Sequence, residues 1–158
     1  QHIKEVEGYG RIDYRNDVPP AHIRKFIYTG YMKSYYTEYK FDSKTELDFS
    51  FILENDGKVF KWLRPAKEQF NIYWSNGSRR YEPDFVVETE HYIYMIETKA
   101  ANEMTNEEVL MKKQAAEEYC RNATEYNLGN DGKAWKYVLI PHDKINKASN
   151  FSFLVATN

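Results

Sequence analysis

Two apolar runs constrain this chain more tightly than any other feature. Phe85-Val86-Val87 and the run from Tyr92 to Ile96 are separated only by a short polar segment that includes Thr89-Glu90-His91. Runs this rich in β-branched and aromatic residues, joined this closely, predict an antiparallel hairpin with Glu90 and His91 at its tip. That register sets Thr89 opposite Tyr92 and Asp84 opposite Glu97. Directly opposed residues share a face, with Cβ atoms roughly 4.5–5.5 Å apart. Lys99 lies two positions beyond Glu97 and so joins the same face. Val86, Ile93 and Met95 lie on that face as well, and Phe85, Val87, Tyr94 and Ile96 on the other. A pair that is apolar on both sides belongs at the centre of a sheet covered by helices.

Two carboxylates opposed across strands repel, and the arrangement is costly unless a cation is shared between them. Magnesium suits such a site, because it takes hard oxygen ligands, keeps several waters and needs only one or two protein carboxylates. Asp84 and Glu97 are thus candidate metal ligands. Lys99 is placed to stabilise negative charge developing at phosphorus or to orient an attacking water. These are the needs of phosphodiester hydrolysis. The competing reading is a surface salt bridge between Lys99 and a strand-end carboxylate, which contributes little.

Elsewhere the pattern is that of a mixed α/β domain. Ser43 and Glu46 form a capping-box pattern that starts a helix carrying Leu47, Phe51 and Leu53, ending near Asp56-Gly57 with Gly57 at positive φ. Short strands are expected over 59–63 and 70–74, and Asn76-Gly77 marks a turn into a strand over 79–87. Tyr92–Lys99 is the next strand. Thr105 and Glu108 cap a second helix, which packs Leu110, Ala115, Ala116, Tyr119, Cys120 and Ala123 and breaks at 127–132. A last strand over 135–140 stops at Pro141. Residues 1–40 carry no clear pattern beyond a loop at Asp17-Val18-Pro19-Pro20.

A length of 158 residues fits one domain with a real core, and 42% hydrophobic content argues against disorder. Fourteen tyrosines are read as an aromatic core with hydroxyls at its rim. A net charge of −2 counts against a self-sufficient DNA-binding module, though acidic metal ligands lower the count and a bound cation reverses the sign locally. One cysteine, Cys120, allows no internal disulfide, and with no membrane-spanning run and no leader pattern a cytoplasmic setting is expected. Opening on Gln1 hints at a piece of a larger protein.

Pro83-Asp84 followed by Glu97-Thr98-Lys99 resembles the PD-(D/E)XK nuclease motif. A longer set resembles the C-terminal endonuclease domain of the restriction (Res) subunit of type III restriction enzymes, over roughly residues 24–145. That set is Phe41-Asp42-Ser43 with Glu46, Trp62, Pro65, Tyr81, Pro83-Asp84-Phe85, Ile96 to Lys99, Lys113, Ala115-Ala116, Cys120, Trp135 and Tyr137. The resemblance implies a restriction-endonuclease-like mixed central sheet flanked by helices, in a single nuclease domain whose catalytic core spans 41–145 after an N-terminal extension of 1–40. It implies magnesium-dependent cleavage of double-stranded DNA beside an upstream helicase motor that uses ATP, with a methyltransferase subunit as partner. The motor's phosphate-binding motif does not occur in these 158 residues. By the same resemblance Asp84 and Glu97 match the metal-binding acids and Lys99 the catalytic lysine. Glu46 matches a helical acid that assists the metal, beside its reading as a helix cap. Lys112, Lys113 and Gln114 match helical polar residues facing the site.

Arg79 and Arg80, just before Asp84, are candidates for holding a phosphate, against the simpler reading of two exposed arginines at a turn. His2 and His22 have no ligand spacing with Cys120, which argues against a zinc site; His91 is expected to face solvent at the hairpin tip, and His142, after a strand and Pro141, is read as a loop residue against the alternative of a DNA-phosphate contact. Two other functions compete: a PD-(D/E)XK nuclease of a repair or mobile-element system, and a non-catalytic domain that docks on DNA or a helicase.

Overall fold

The computed structural model describes residues 10–66, 69–74, 77, 79–129 and 132–158. The protein is mixed α/β. Its central sheet has four strands in the order β4 (Lys61–Leu63), β7 (Phe85–Glu88), β8 (Tyr92–Lys99) and β9 (Ala134–Pro141). β4, β7 and β8 are antiparallel neighbours, and β9 runs parallel to β8. A parallel neighbour needs a long crossover. Here it is helix α2 (Glu107–Leu128), which packs chiefly against β9. Two smaller sheets flank this one: β1 (Gly10–Asp13), β2 (Phe26–Thr29) and β3 (Glu38–Tyr39), and a ribbon of β5 (Ile72–Trp74) with β6 (Arg79–Tyr81).

The hairpin forms in the expected register. Phe85 pairs with Ile96 and Val87 with Tyr94, and the Thr89 amide donates to the Tyr92 carbonyl at 2.9 Å. Its two faces serve two cores. Phe85, Val87 and Ile96 join Trp62, Phe49 and Phe151 beneath α1 (Lys44–Asn55) and α3 (Phe151–Ala156). Met95 joins Ile72, Ala116 and Cys120 beneath α2. The first core also contains Tyr14, Ile23, Tyr28, Tyr31 and Tyr39 from the stretch that carried no clear pattern. Tyr14 stacks on Tyr31 with centroids 4.6 Å apart, and Tyr31 meets Trp62 edge-on at 5.1 Å. Two buried hydroxyls of this core are bonded: Tyr28 donates to the Ile23 carbonyl at 2.8 Å and Tyr31 shares a bond with Ser50 at 2.7 Å.

Several local expectations are corrected. The strand expected over 79–87 is two strands in different sheets, divided at Glu82-Pro83-Asp84. Pro83 has no amide hydrogen to give a ladder, so the chain leaves the ribbon there and enters the central sheet. α1 starts as expected, with Ser43 accepting from the Glu46 amide, but the reciprocal Glu46 bond is to the Asp42 amide at 2.8 Å. Gly57 is not at positive φ. Extended Asp56 ends the helix, and its carboxylate accepts from the amides of Lys58 and Phe151, both at 2.8 Å. α2 is capped by Asn106 rather than Thr105, because the Asn106 side chain accepts from the amides of Glu108 and Val109. Gly77 does adopt positive φ, at 82°, while Asn76 and Ser78 of that turn lie outside the described residues. Among the described residues no helix is long and apolar enough to cross a membrane.

Candidate metal-binding acidic site

The candidate residues gather where β7 and β8 meet at the end of the sheet remote from the hairpin tip. Asp84 sits just outside β7, and its amide donates to the Ile96 carbonyl at 3.0 Å. Its carboxylate Oδ2 accepts from the Thr98 amide at 2.8 Å and from the Thr98 hydroxyl at 3.1 Å. Strand alternation assigns Thr98 to the face opposite Glu97, so Asp84 reaches across the open strand end. Burial raises the Asp84 pKa, the Thr98 amide opposes that shift, the Glu46 charge adds to it and the Arg64 charge opposes it.

Glu97 is only 8% exposed and stands on the α2 face of β8 with Met95. Its carboxyl is held well above the ordinary carboxylate range, chiefly by burial and then by the Asp84 charge, with Lys99, Lys112 and more weakly Glu46 also acting on it. Oxygen Oε1 of Glu97 is buried without a hydrogen-bond partner. An orphaned carboxylate oxygen inside a protein is costly, and a cation or a proton relieves it. Lys99 is half-buried on the same face, and among the described residues no hydrogen bond or ion pair holds its ammonium group.

Asp84 and Lys99 thus both act on Glu97, the first raising its pKa and the second lowering it. Glu46 feels the same site but is otherwise engaged: its Oε2 lies 3.2 Å from Arg64 Nη1, and its Oε1 accepts from the Asp42 amide. Among the described residues no three His, Cys, Asp or Glu side chains are gathered to hold a metal ion. Two carboxylates with hard oxygens, one of them orphaned, still match magnesium, which completes its octahedron with water.

Of the helical candidates, Lys112 is the one whose charge acts on Glu97. Its ammonium group lies 5.2 Å from the Trp74 ring centroid and 5.7 Å from that of Tyr81, and 3.2 Å from Glu108. Lys113 is half-buried, and Gln114 is exposed in a groove with Tyr73 and Trp74. Arg79 and Arg80 are exposed on β6. His91 is exposed at the hairpin tip, at the far end of the strands.

Arg64 was not singled out in the sequence. It follows β4, and the pairing of Leu63 with Val86 carries it alongside Phe85, next to Asp84. Its guanidinium stacks 5.5 Å from the Phe41 ring centroid and 6.0 Å from that of Phe85. No local signal marks it, because its position depends on a strand pairing across more than twenty residues. Arg64→Met keeps an unbranched apolar stem and leaves the half-buried Glu46 without its partner. The expected cost is about 1–3 kcal/mol. Adding Glu46→Gln to that variant should cost less than Glu46→Gln alone, a coupling of about 1 kcal/mol that a double-mutant cycle of urea melts measures.

Compared with protein-family models, with curated proteins and with solved structures, the chain finds no match in any of the three.

Proposed function

We propose that this chain is a magnesium-dependent nuclease of the PD-(D/E)XK class, with a restriction-endonuclease-like core that hydrolyses phosphodiester bonds in double-stranded DNA. More particularly, the reading is the endonuclease domain of a type III restriction enzyme, working beside an ATP-driven helicase motor and a methyltransferase subunit. One observation carries the proposal: at the shared end of β7 and β8 the buried Glu97 has an orphaned carboxylate oxygen, and the charge of the neighbouring Asp84 acts on it.

Asp84 and Glu97 would hold the ion, with Thr98 fixing the orientation of Asp84. A magnesium ion bound there supplies Lewis acidity to a phosphoryl oxygen and lowers the pKa of a coordinated water. Lys99, with no bond to hold it elsewhere among the described residues, orients the attacking water and stabilises the negative charge that grows on the phosphate. Lys112 adds a second positive charge beside Glu97, held in place by two aromatic rings and Glu108. The aromatic cores on both sides of the hairpin keep the strands, and so the acids, from shifting.

Calorimetric titration of the chain with magnesium tests the reading without asking it to cut alone. Binding at millimolar concentration or below is expected for the native chain and should be absent from Asp84→Ala. A native chain that takes up no metal in that range, with or without duplex DNA, overturns the proposal and favours a docking role.

A further inference from the structure

The ribbon of β5 and β6 is a sheet of its own, and its residues divide sharply by face. Ile72 and Trp74 are buried against α2, at 2% and 7% exposure, while Tyr73 between them is 58% exposed. Register sets Tyr73 opposite Arg80 and Trp74 opposite Arg79. The Arg80 guanidinium donates to Asn71 Oδ1 at 3.2 Å. The Arg79 guanidinium lies 5.3 Å from the Trp74 ring centroid, and Lys112 is 5.2 Å from that same centroid. The indole thus joins a ribbon cation to the lysine whose charge reaches Glu97. In a chain of net charge −2 the ribbon thus carries cations on both faces, Arg79 with Lys112 on the Trp74 side and Arg80 beside exposed Tyr73 on the other. Glu108 offsets part of the Lys112 charge, and Glu118 lines the groove below the ribbon.

We propose that the β5–β6 ribbon grips the sugar–phosphate backbone of duplex DNA beside the bond to be cut; this rests on the nuclease reading above and adds to it the surface that holds the substrate. Guanidinium groups stacked on rings are weakly hydrated and pre-oriented, and their planar forks match phosphate oxygens. A two-stranded ribbon also has the width to lie along a DNA groove. Tyr73, flanked by Arg80, offers a ring to the sugar edge. Backbone contacts of this kind carry register and affinity rather than sequence preference.

The test measures binding rather than cutting. Fluorescence anisotropy follows the chain on a labelled mixed-sequence duplex of about 20 base pairs over a series of salt concentrations, in calcium and again in EDTA. Arg79→Gln with Arg80→Gln should weaken binding at least about tenfold near 0.1 M salt and flatten the plot of log K against log salt by about two units, one phosphate contact per arginine. Arg80→Gln alone should give about half that change in slope, and circular dichroism with a thermal melt checks that each variant is folded. A double variant that binds like the native chain, with the same slope, overturns the inference. So does a native chain with no affinity for the duplex at low salt. Magnesium uptake by the native chain is read separately, so a failed ribbon leaves the metal site standing, and a failed metal site leaves the ribbon measurement intact.

Discussion

Glu97→Gln is expected to melt higher than the native chain in EDTA at mildly alkaline pH, and to cut duplex DNA at least about 1,000-fold more slowly in magnesium. The two halves of this result have one cause. The Glu97 carboxyl is buried beside Asp84, so the folded protein holds its proton more tightly than the unfolded chain, whose glutamate titrates near 4.5. Within the window from that value up to the raised folded value, the folded state carries the extra proton. Stability therefore falls as pH rises through the window, and the loss is complete above it. Glutamine fills the same space without a charge and removes that slope, a gain on the order of 1–3 kcal/mol above the window. The same change deletes a hard anionic ligand, and a 1,000-fold loss corresponds to about 4 kcal/mol of transition-state stabilisation. Thermal melts across a pH series in EDTA, set beside cleavage rates in magnesium, read both halves. The cleavage assay uses the chain itself or a longer protein containing it. A variant that melts lower at every pH identifies Glu97 as a structural acid and sinks the metal site. Metal uptake should displace the same proton, so magnesium affinity is expected to rise with pH.

Glu54→Ala is expected to be the most damaging single truncation away from the site. Glu54 is 8% exposed and accepts from the amides of Met32 and Lys33 and from the indole nitrogen of Trp62 at 3.1 Å. It ties the segment after β2 to α1 and to a tryptophan in the middle of the larger core. Alanine leaves three donors without an acceptor and opens a void beside Trp62. The expected cost is about 3–5 kcal/mol, which lowers the melting temperature of a domain this size by roughly 10 °C. Glu54→Gln keeps one oxygen acceptor and should recover a good part of the loss. Urea unfolding followed by tryptophan fluorescence separates the two variants. Equal stability of native and alanine forms would show that these hydrogen bonds merely replace equivalent ones to water.

What could be read from the sequence was local and periodic. β8 has the span that its run of apolar residues implied, and the hairpin register follows from the brevity of the tip. Ser43 caps α1 because a serine before a helical run has one obvious use. The juxtaposition of Asp84 and Glu97 needed nothing more than that register. What escaped depended on distance along the chain. β1 lies parallel to β2 and β3 antiparallel to it, in a stretch dominated by tyrosines whose spacing follows neither a helix nor a strand. Their burial against Trp62 and Phe41 is a tertiary fact. Arg64 reaches Asp84 only through the pairing of β4 with β7, and Lys112 reaches Glu97 only through the packing of α2. The change of sheet at Pro83 was marked by the proline itself, which a strand drawn through 79–87 overlooked. Choosing Asn106 over Thr105 as the cap turned on a single residue, a margin at which helix ends are often misjudged.

Both acids and Lys99 sit on a single hairpin, whereas the other cations come from the segment after β4, from α2 and from the ribbon. Descendants of this chain can therefore trade or relocate most of their positive groups one at a time, each on its own scaffold. The carboxylates have no such latitude, since slipping the hairpin by one position would turn one acid into the aromatic interior and bring a greasy side chain out in its place. Divergence should accordingly rewrite how the molecule holds its target long before it alters where the two acids meet.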